Sequence, residues 1–187
     1  MENLITDGIS ELISVLECTK KMAGEINSAA KVVSDCFNNG HTLYTCGNGG
    51  SAAEAMHMSE ELCGRYKDNR KALNSVCLNS DATLLTCVAN DFGYAKIFSR
   101  QLEAHGKKGD ALIVFSTSGN SENQIEAIKK AKELSITTIL IGGKGGGACK
   151  EIADISLIVP SNVTARIQEI HSFILHNFVE IVENYIK

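Results

Sequence analysis

Apolar positions recur along residues 3–38 at helical spacing. Ile5, Ile9, Leu12, Ile13 and Leu16 fall on one stripe, and Ile26, Ala30, Val33 and Phe37 on a second. Gly24 lies between the stripes and marks an expected break or bend, and Asn38-Asn39-Gly40 ends the stretch. From residue 42 the pattern changes to short apolar runs, each followed by helical spacing. Thr42–Cys46 precedes 51–63, Ser75–Leu78 precedes 82–89 and 95–105, and Ala111–Phe115 precedes 121–134. Thr137–Ile141 leads through a glycine loop to a short helix near 147–153, and Ile155–Val159 is closed by Pro160. Residues 163–186 read as one long helix. Strands alternating with helices in this way predict a doubly wound α/β fold, its five-stranded parallel sheet covered on both faces.

Ligands of such sheets bind at the strand C-termini, where the chain order reverses. Loops 47–51, 79–81, 116–121 and 142–147 are therefore the places to look for function. No linker, internal repeat or composition shift divides the chain, so residues 1–187 are expected to form a single domain. The helical segments 3–38 and 163–186 exceed what the sheet needs and are expected to pack between subunits.

Composition narrows the function classes. Apolar residues make up 44% and charged residues 21%, with one proline, which excludes disordered and low-complexity classes. The net charge is −4, Lys and Arg are scattered, and Trp is absent. A nucleic-acid partner, which needs a basic face or stacking aromatics, is not expected. The apolar runs fall well short of the ~18 residues that span a bilayer, and the MENLITDGISELI start lacks the pattern of a signal peptide. A cytoplasmic protein with no membrane partner is expected. The seven cysteines (18, 36, 46, 63, 77, 87, 149) form no CxxC pair and read as reduced core thiols.

Two loops are suited to phosphate. Cys46-Gly-Asn-Gly-Gly-Ser-Ala52 follows a strand and opens a helix, where glycines admit a ligand and free amides favour an anion. Gly47-x-Gly49-x-x-Ala52 also matches the dinucleotide fingerprint, which wants an acidic residue ~20 positions on, at the end of the next strand. Lys67-Asp68 precede that strand and Asp81 comes too late, so no nucleotide cofactor is expected. The second loop, Ser116-Thr-Ser-Gly-Asn-Ser121, crowds four hydroxyls into six residues before a helix. Helix capping accounts for Ser121 alone, and not for Ser116, Thr117 and Ser118. The 142–147 glycine loop lacks the spacing of a nucleotide-binding P-loop and reads as a tight crossover turn.

Together CGNGGSA (46–52) and STSGNSEN (116–123) resemble the sugar isomerase (SIS) family of phosphosugar-binding domains. AMHMSEELCGRY (55–66), ANDFGYAKIFSRQLEAHGKKGD (89–110) and TARIQEIHSFILH (164–176) are similar to the phosphoheptose isomerases within it. The resemblance spans nearly the whole chain. It implies a SIS-type, flavodoxin-like fold in a homotetramer with active sites at subunit interfaces. It implies conversion of sedoheptulose 7-phosphate to D-glycero-D-manno-heptose 7-phosphate, the first step of bacterial heptose synthesis for lipopolysaccharide or surface glycans.

Site residues follow the same motifs. His57 and Glu61 lie one turn apart on a helix, and Gln168 and His176 share a broad face of the terminal helix. An aldose–ketose isomerisation needs a base for a carbon-bound proton and an acid for the carbonyl oxygen. The resemblance gives these roles to Glu61 and His176, and sugar contacts to Gln168, Asp91 and Arg65. Asn48, Gly49, Gly50, Ser51, Glu61, Asn90, Ser116, Thr117, Ser118 and Ser121 complete the expected substrate contacts. His57, Glu61, Gln168 and His176 also form a candidate zinc site, Gln being the unusual ligand. His171 is expected in the core, His105 at a helix end and His41 at a strand start. The alternative is a non-catalytic SIS regulator or a replication-initiator-associating protein, which need not keep Glu61, Gln168 and His176.

Overall fold

The computed structural model describes residues 1–186. Five parallel strands form one sheet in the order β2-β1-β3-β4-β5: β1 (Leu43–Gly47), β2 (Ser75–Cys77), β3 (Ala111–Ser116), β4 (Thr137–Gly142) and β5 (Ile155–Ile158). Leu43 pairs with both Ser75 and Ala111, which sets β1 between β2 and β3. The chain runs outward from β1 to β2 and then crosses back to β3. The order therefore reverses between β1 and β3, and the two candidate phosphate loops leave the C-terminal ends of those two strands.

Each inner strand is apolar on both sides because each sheet face meets helices. Leu43, Ala111, Ile113, Phe115, Ile139 and Ile141 point into one cluster with α2 (Ala23–Asn38), α3 (Gly50–Cys63) and α8 (Thr164–Tyr185). Tyr44, Cys46, Leu112, Val114 and Leu140 point into the other. There they meet α4 (Ala82–Phe92), α5 (Ser99–His105), α6 (Glu122–Glu133) and α7 (Gly147–Ile152).

The predicted elements are present, with differences that have physical causes. The break in the N-terminal helical stretch comes before Gly24. A 3-10 turn at Lys20–Met22 separates α1 (Glu2–Thr19) from α2, and Gly24 lies inside the first turn of α2. Thr19 Oγ1 donates to the Val15 carbonyl at 2.8 Å, a back-bond that loosens a helix at its end. The apolar stripes of α2 and α8 are covered within the chain: Ile26, Ala30, Val33, Ile170, Ile174, Phe178 and Val182 are all buried. The uncovered stripe is that of α1, where Leu4, Ile5, Ile9 and Ile13 are 53–75% exposed. Beside it an apolar groove of about 290 Å³ runs between Leu16, Ile26, Phe173 and Ile181.

The cysteines are free, but only four are buried; Cys18, Cys63 and Cys87 are exposed. Burial pushes the Cys36 thiol up to about 12 and that of Cys149 to about 11. Such thiols are inert packing groups. Among the described residues no helix is long and apolar enough to cross a membrane.

Candidate functional site

The β1–α3 and β3–α6 loops are joined side chain to side chain. Asn48 Nδ2 donates to Asn123 Oδ1 at 2.9 Å, and Asn123 Nδ2 donates back to Asn48 Oδ1 at 2.8 Å. Tyr94 Oη adds a third bond to Asn48 Oδ1 at 3.1 Å. Asn48 is thus held as a strut between the loops. Asn123 and Tyr94 lie inside the two quoted motifs, but their residue types alone gave no sign of this partnership.

Both loops open onto helices with no side-chain cap. Gly49 and Ser121 occupy the N-cap positions of α3 and α6, and the Ser121 hydroxyl makes no cap bond. By contrast Asp81, weighed above as a ribose anchor, caps α4 by accepting from the Leu84 amide at 2.9 Å. Uncapped first-turn amides and the positive helix ends leave anion-binding capacity at the crevice.

Ser116 is turned inward. It is 3% exposed, donates to Gln124 Oε1 at 2.5 Å and accepts from the Gly119 amide at 3.0 Å. Its hydroxyl shapes the loop from within, whereas Thr117, Ser118 and Ser121 are half-buried at the crevice. Gly119 has φ of +64°, and a Cβ on it would fall on the backbone carbonyl of Gly146. The 116–121 loop is therefore seated on the 142–147 turn, with Asn120 Oδ1 accepting from the Ala148 amide at 3.0 Å. This is the structural work of the crossover turn.

The titratable groups lie along the seam of α3 and α8. His57 Nε2 and Glu61 Oε1 are 3.2 Å apart. The His176 ring meets His57 edge-on at 5.0 Å, and Tyr66 stacks on it at 5.8 Å. Ligand atoms of His57, Glu61 and His176 all lie within 4.8 Å of one another. Two imidazoles and one carboxylate at this spacing are a familiar zinc donor set that leaves a fourth position open. Gln168, the fourth expected ligand, is packed against Gly50, where no side chain larger than hydrogen fits beneath its amide. It stands about two helical turns from His57 along α3.

Between these two levels His171 is fully buried, as expected, and has a partner absent from the sequence reading. Its Nδ1 is 3.2 Å from Glu54 Oε2, and its Nε2 donates to the Gly142 carbonyl at 3.2 Å. Glu54 sits one turn from Met58 on the inner face of α3, a placement the helix period could have flagged. Arg65, Asn90 and Asp91 are exposed, with Arg65 bonded to Asn69 at 2.9 Å and Asn90 to Asp91 at 2.8 Å. His105 ends α5 and His41 precedes β1, 3.6 Å from Asp110.

A model of the SIS domain family matches residues 7–143. Phosphoheptose isomerase 1 of Campylobacter jejuni is 43% identical over 183 residues, covering 98% of each chain. Two solved phosphoheptose isomerases superpose over the full fold. That of Neisseria gonorrhoeae has a TM-score of 0.93 at 35% identity, covering 98% of both chains. That of Francisella tularensis has a TM-score of 0.95 at 33% identity, covering 97% of both.

Proposed function

The chain belongs to the phosphoheptose isomerase family of SIS domains, and from that premise we propose that it converts sedoheptulose 7-phosphate to D-glycero-D-manno-heptose 7-phosphate. The observation that carries the reading is the meeting of Glu61 and His176 within 4.8 Å, on the two helices beside the phosphate loops. In this mechanism the Glu61 carboxylate takes a proton from C1 of the ketose while His176 protonates the C2 carbonyl oxygen, giving an enediol. Glu61 then returns the proton to C2 as His176 takes the O1 hydroxyl proton, and C1 becomes the aldehyde. The presence of Glu61, His176 and Gln168 favours this enzyme over a non-catalytic regulator. Incubation with sedoheptulose 7-phosphate should yield the aldose; no turnover by the intact protein, with or without zinc, would remove the proposal.

The donor set fits zinc, with His57, Glu61 and His176 as the holding residues; the same chain's Gln168, beside Gly50 about two helical turns away, is out of reach of that set. Bound there, zinc would supply Lewis-acid polarisation of the substrate carbonyl, and proton transfer would then fall to water or to a ligand that swings off the metal, since a carboxylate and an imidazole holding zinc are not free as base and acid. The phosphate is placed at Thr117, Ser118 and Ser121 and the amides of Gly49, Gly50 and Ser51, with Ser116 and Asn48 holding the two loops in shape. Arg65, Asn90, Asp91 and Gln168 remain the expected sugar contacts. Ser118→Ala and Ser121→Ala each remove a bond to a charged oxygen, worth about 1.5–3 kcal/mol. Substrate affinity by titration calorimetry should fall roughly 10–100-fold in each. Unchanged affinity in both would move the phosphate elsewhere.

A homotetramer in the cytoplasm is the expected form. Residues 1–187 act as one domain in this reading, and the uncovered stripe of α1 supplies the contact surface, since apolar patches of this kind are unusual on monomers. Reach supports sharing of the site between copies. Glu61 lies three helical turns, roughly 16 Å, beyond Gly50 at the phosphate loops. The carbon chain of an extended heptulose advances only roughly 1.2 Å per bond, as extended backbone does. A phosphate held at residues 116–121 therefore leaves the reacting end short of the same chain's Glu61. Light scattering should give an oligomer, and mixing unfolded Ser118→Ala and Glu61→Gln chains before refolding should give more activity at low substrate concentration than either variant refolded alone. A monomer, or no complementation, would refute the shared site.

A further inference from the structure

Arg70 is a cation with no part in the expected site, yet almost all of it is inside the protein. Its side chain is 12% exposed, and that of its partner Glu183 is 8% exposed. Arg70 Nε donates to Glu183 Oε1 at 2.8 Å. The remaining nitrogens are aimed at the end of α3: one donates to the Leu62 carbonyl at 2.8 Å, the other to the main-chain carbonyl of Glu61 at 2.9 Å. The last carbonyls of a helix lack intrahelical donors, and a guanidinium there both satisfies them and offsets the negative helix end. Glu183 in turn stands on the last turns of α8, the helix that carries His176. Its second oxygen accepts from the Lys67 amide at 3.3 Å. That bond holds the segment after α3 in which Tyr66 stacks on the His176 ring.

We propose that Arg70 and Glu183 form a positioning clamp for the reacting groups. The clamp fixes the turn of α3 bearing Glu61 directly, through the carbonyl of that residue, and fixes His176 through Lys67 and Tyr66. Neither residue touches substrate. The inference rests on the isomerase reading for its effect on turnover, but not for its effect on His176. A lysine at position 70 has one compact donor head and cannot span Glu183 and two carbonyls. A glutamine at position 183 sets an amide donor against one of the N–H groups its carboxylate now accepts from.

Arg70→Lys, Glu183→Gln and the double variant test this against Asp154→Asn, a control that weakens the far edge of the sheet, where Asp154 accepts from Thr138. Turnover is to be compared at a temperature where circular dichroism shows all four folded, together with zinc affinity and the NMR signals of the His176 ring in metal-free protein. Both clamp variants should lose about 10–100-fold in kcat and in zinc affinity, as removal of groups that support metal ligands does. The His176 signals should shift in both, the double variant should lose no more than the worse single, and Asp154→Asn should leave all three readouts at wild-type values. Undisturbed His176 signals in both clamp variants, with losses no greater than the control's, overturn the clamp. Should Arg70→Lys not fold, Glu183→Gln decides alone. Wild-type protein without turnover defeats the isomerase reading only, and the His176 signals still decide the clamp.

Discussion

Glu61→Gln should reduce isomerisation by roughly 10²–10⁴-fold, the usual contribution of a single general base, while the protein still binds its phosphosugar. The substitution keeps the shape of the side chain and removes only its ability to take a proton. Glu61 is half-buried with one oxygen 3.2 Å from His57, and its position on α3 does not depend on its charge. The hydroxyls at residues 117–121 and the amides opening α3 and α6 are untouched, so calorimetric affinity should stay near that of wild type. The same carboxylate is a proposed zinc donor, so the measurement is made with zinc in excess and with bound metal counted. Turnover near wild type in Glu61→Gln would remove this residue from the mechanism, whatever the metal does.

Metal removal should have an effect of similar size. If zinc held by His57, Glu61 and His176 is the working cofactor, chelation should abolish turnover and added zinc restore it. His57→Ala, with one of three donors gone, should hold little zinc and recover little activity. The imidazole of His57 is 39% exposed, so its truncation opens no cavity in the core and the protein should stay folded. Elemental analysis of both proteins, alongside the assay before and after chelation, checks this. Wild-type protein that turns over fully after chelation would leave the Glu61–His176 pair working without metal.

The sheet and its order of helices were legible because each strand is a short apolar run closed by glycine, serine, asparagine or proline. The loops at Gly47–Ser51 and Ser116–Ser121 were legible for the same reason: their composition differs from that of any packed element. Helix ends such as the break at Lys20–Met22 were less so, since Thr19 acts through a local back-bond that competes with a more conspicuous glycine. The pairings across the chain were not legible at all. Asn48 with Asn123, Glu54 with His171 and Arg70 with Glu183 join residues far apart in sequence, and nothing at either partner announces the other. Ser116 illustrates the limit within a motif. Its hydroxyl is of the same type as that of Ser118, and only its inward turn at the end of β3 separates a loop brace from a proposed ligand contact.

The placement of α8 has a consequence for how the protein is made. This helix is the last element of the described chain, yet Ile167, Ile170, Ile174, Leu175, Phe178, Val179 and Val182 cover one face of a sheet whose strands are complete by Ile158. During synthesis the chain emerges N-terminus first. The sheet can assemble its other face early, against α4, α5 and α6, while on this face α2 and α3 give Ile113, Phe115, Ile139 and Ile141 only part of their cover. The newborn chain is therefore adhesive on this face until α8 arrives, and the helix that quenches this surface is the one that delivers His176. The covering of this face and the arrival of His176, the proposed acid, are a single event, so a ribosome stalled ahead of α8 holds a chain that lacks that group and is prone to clump.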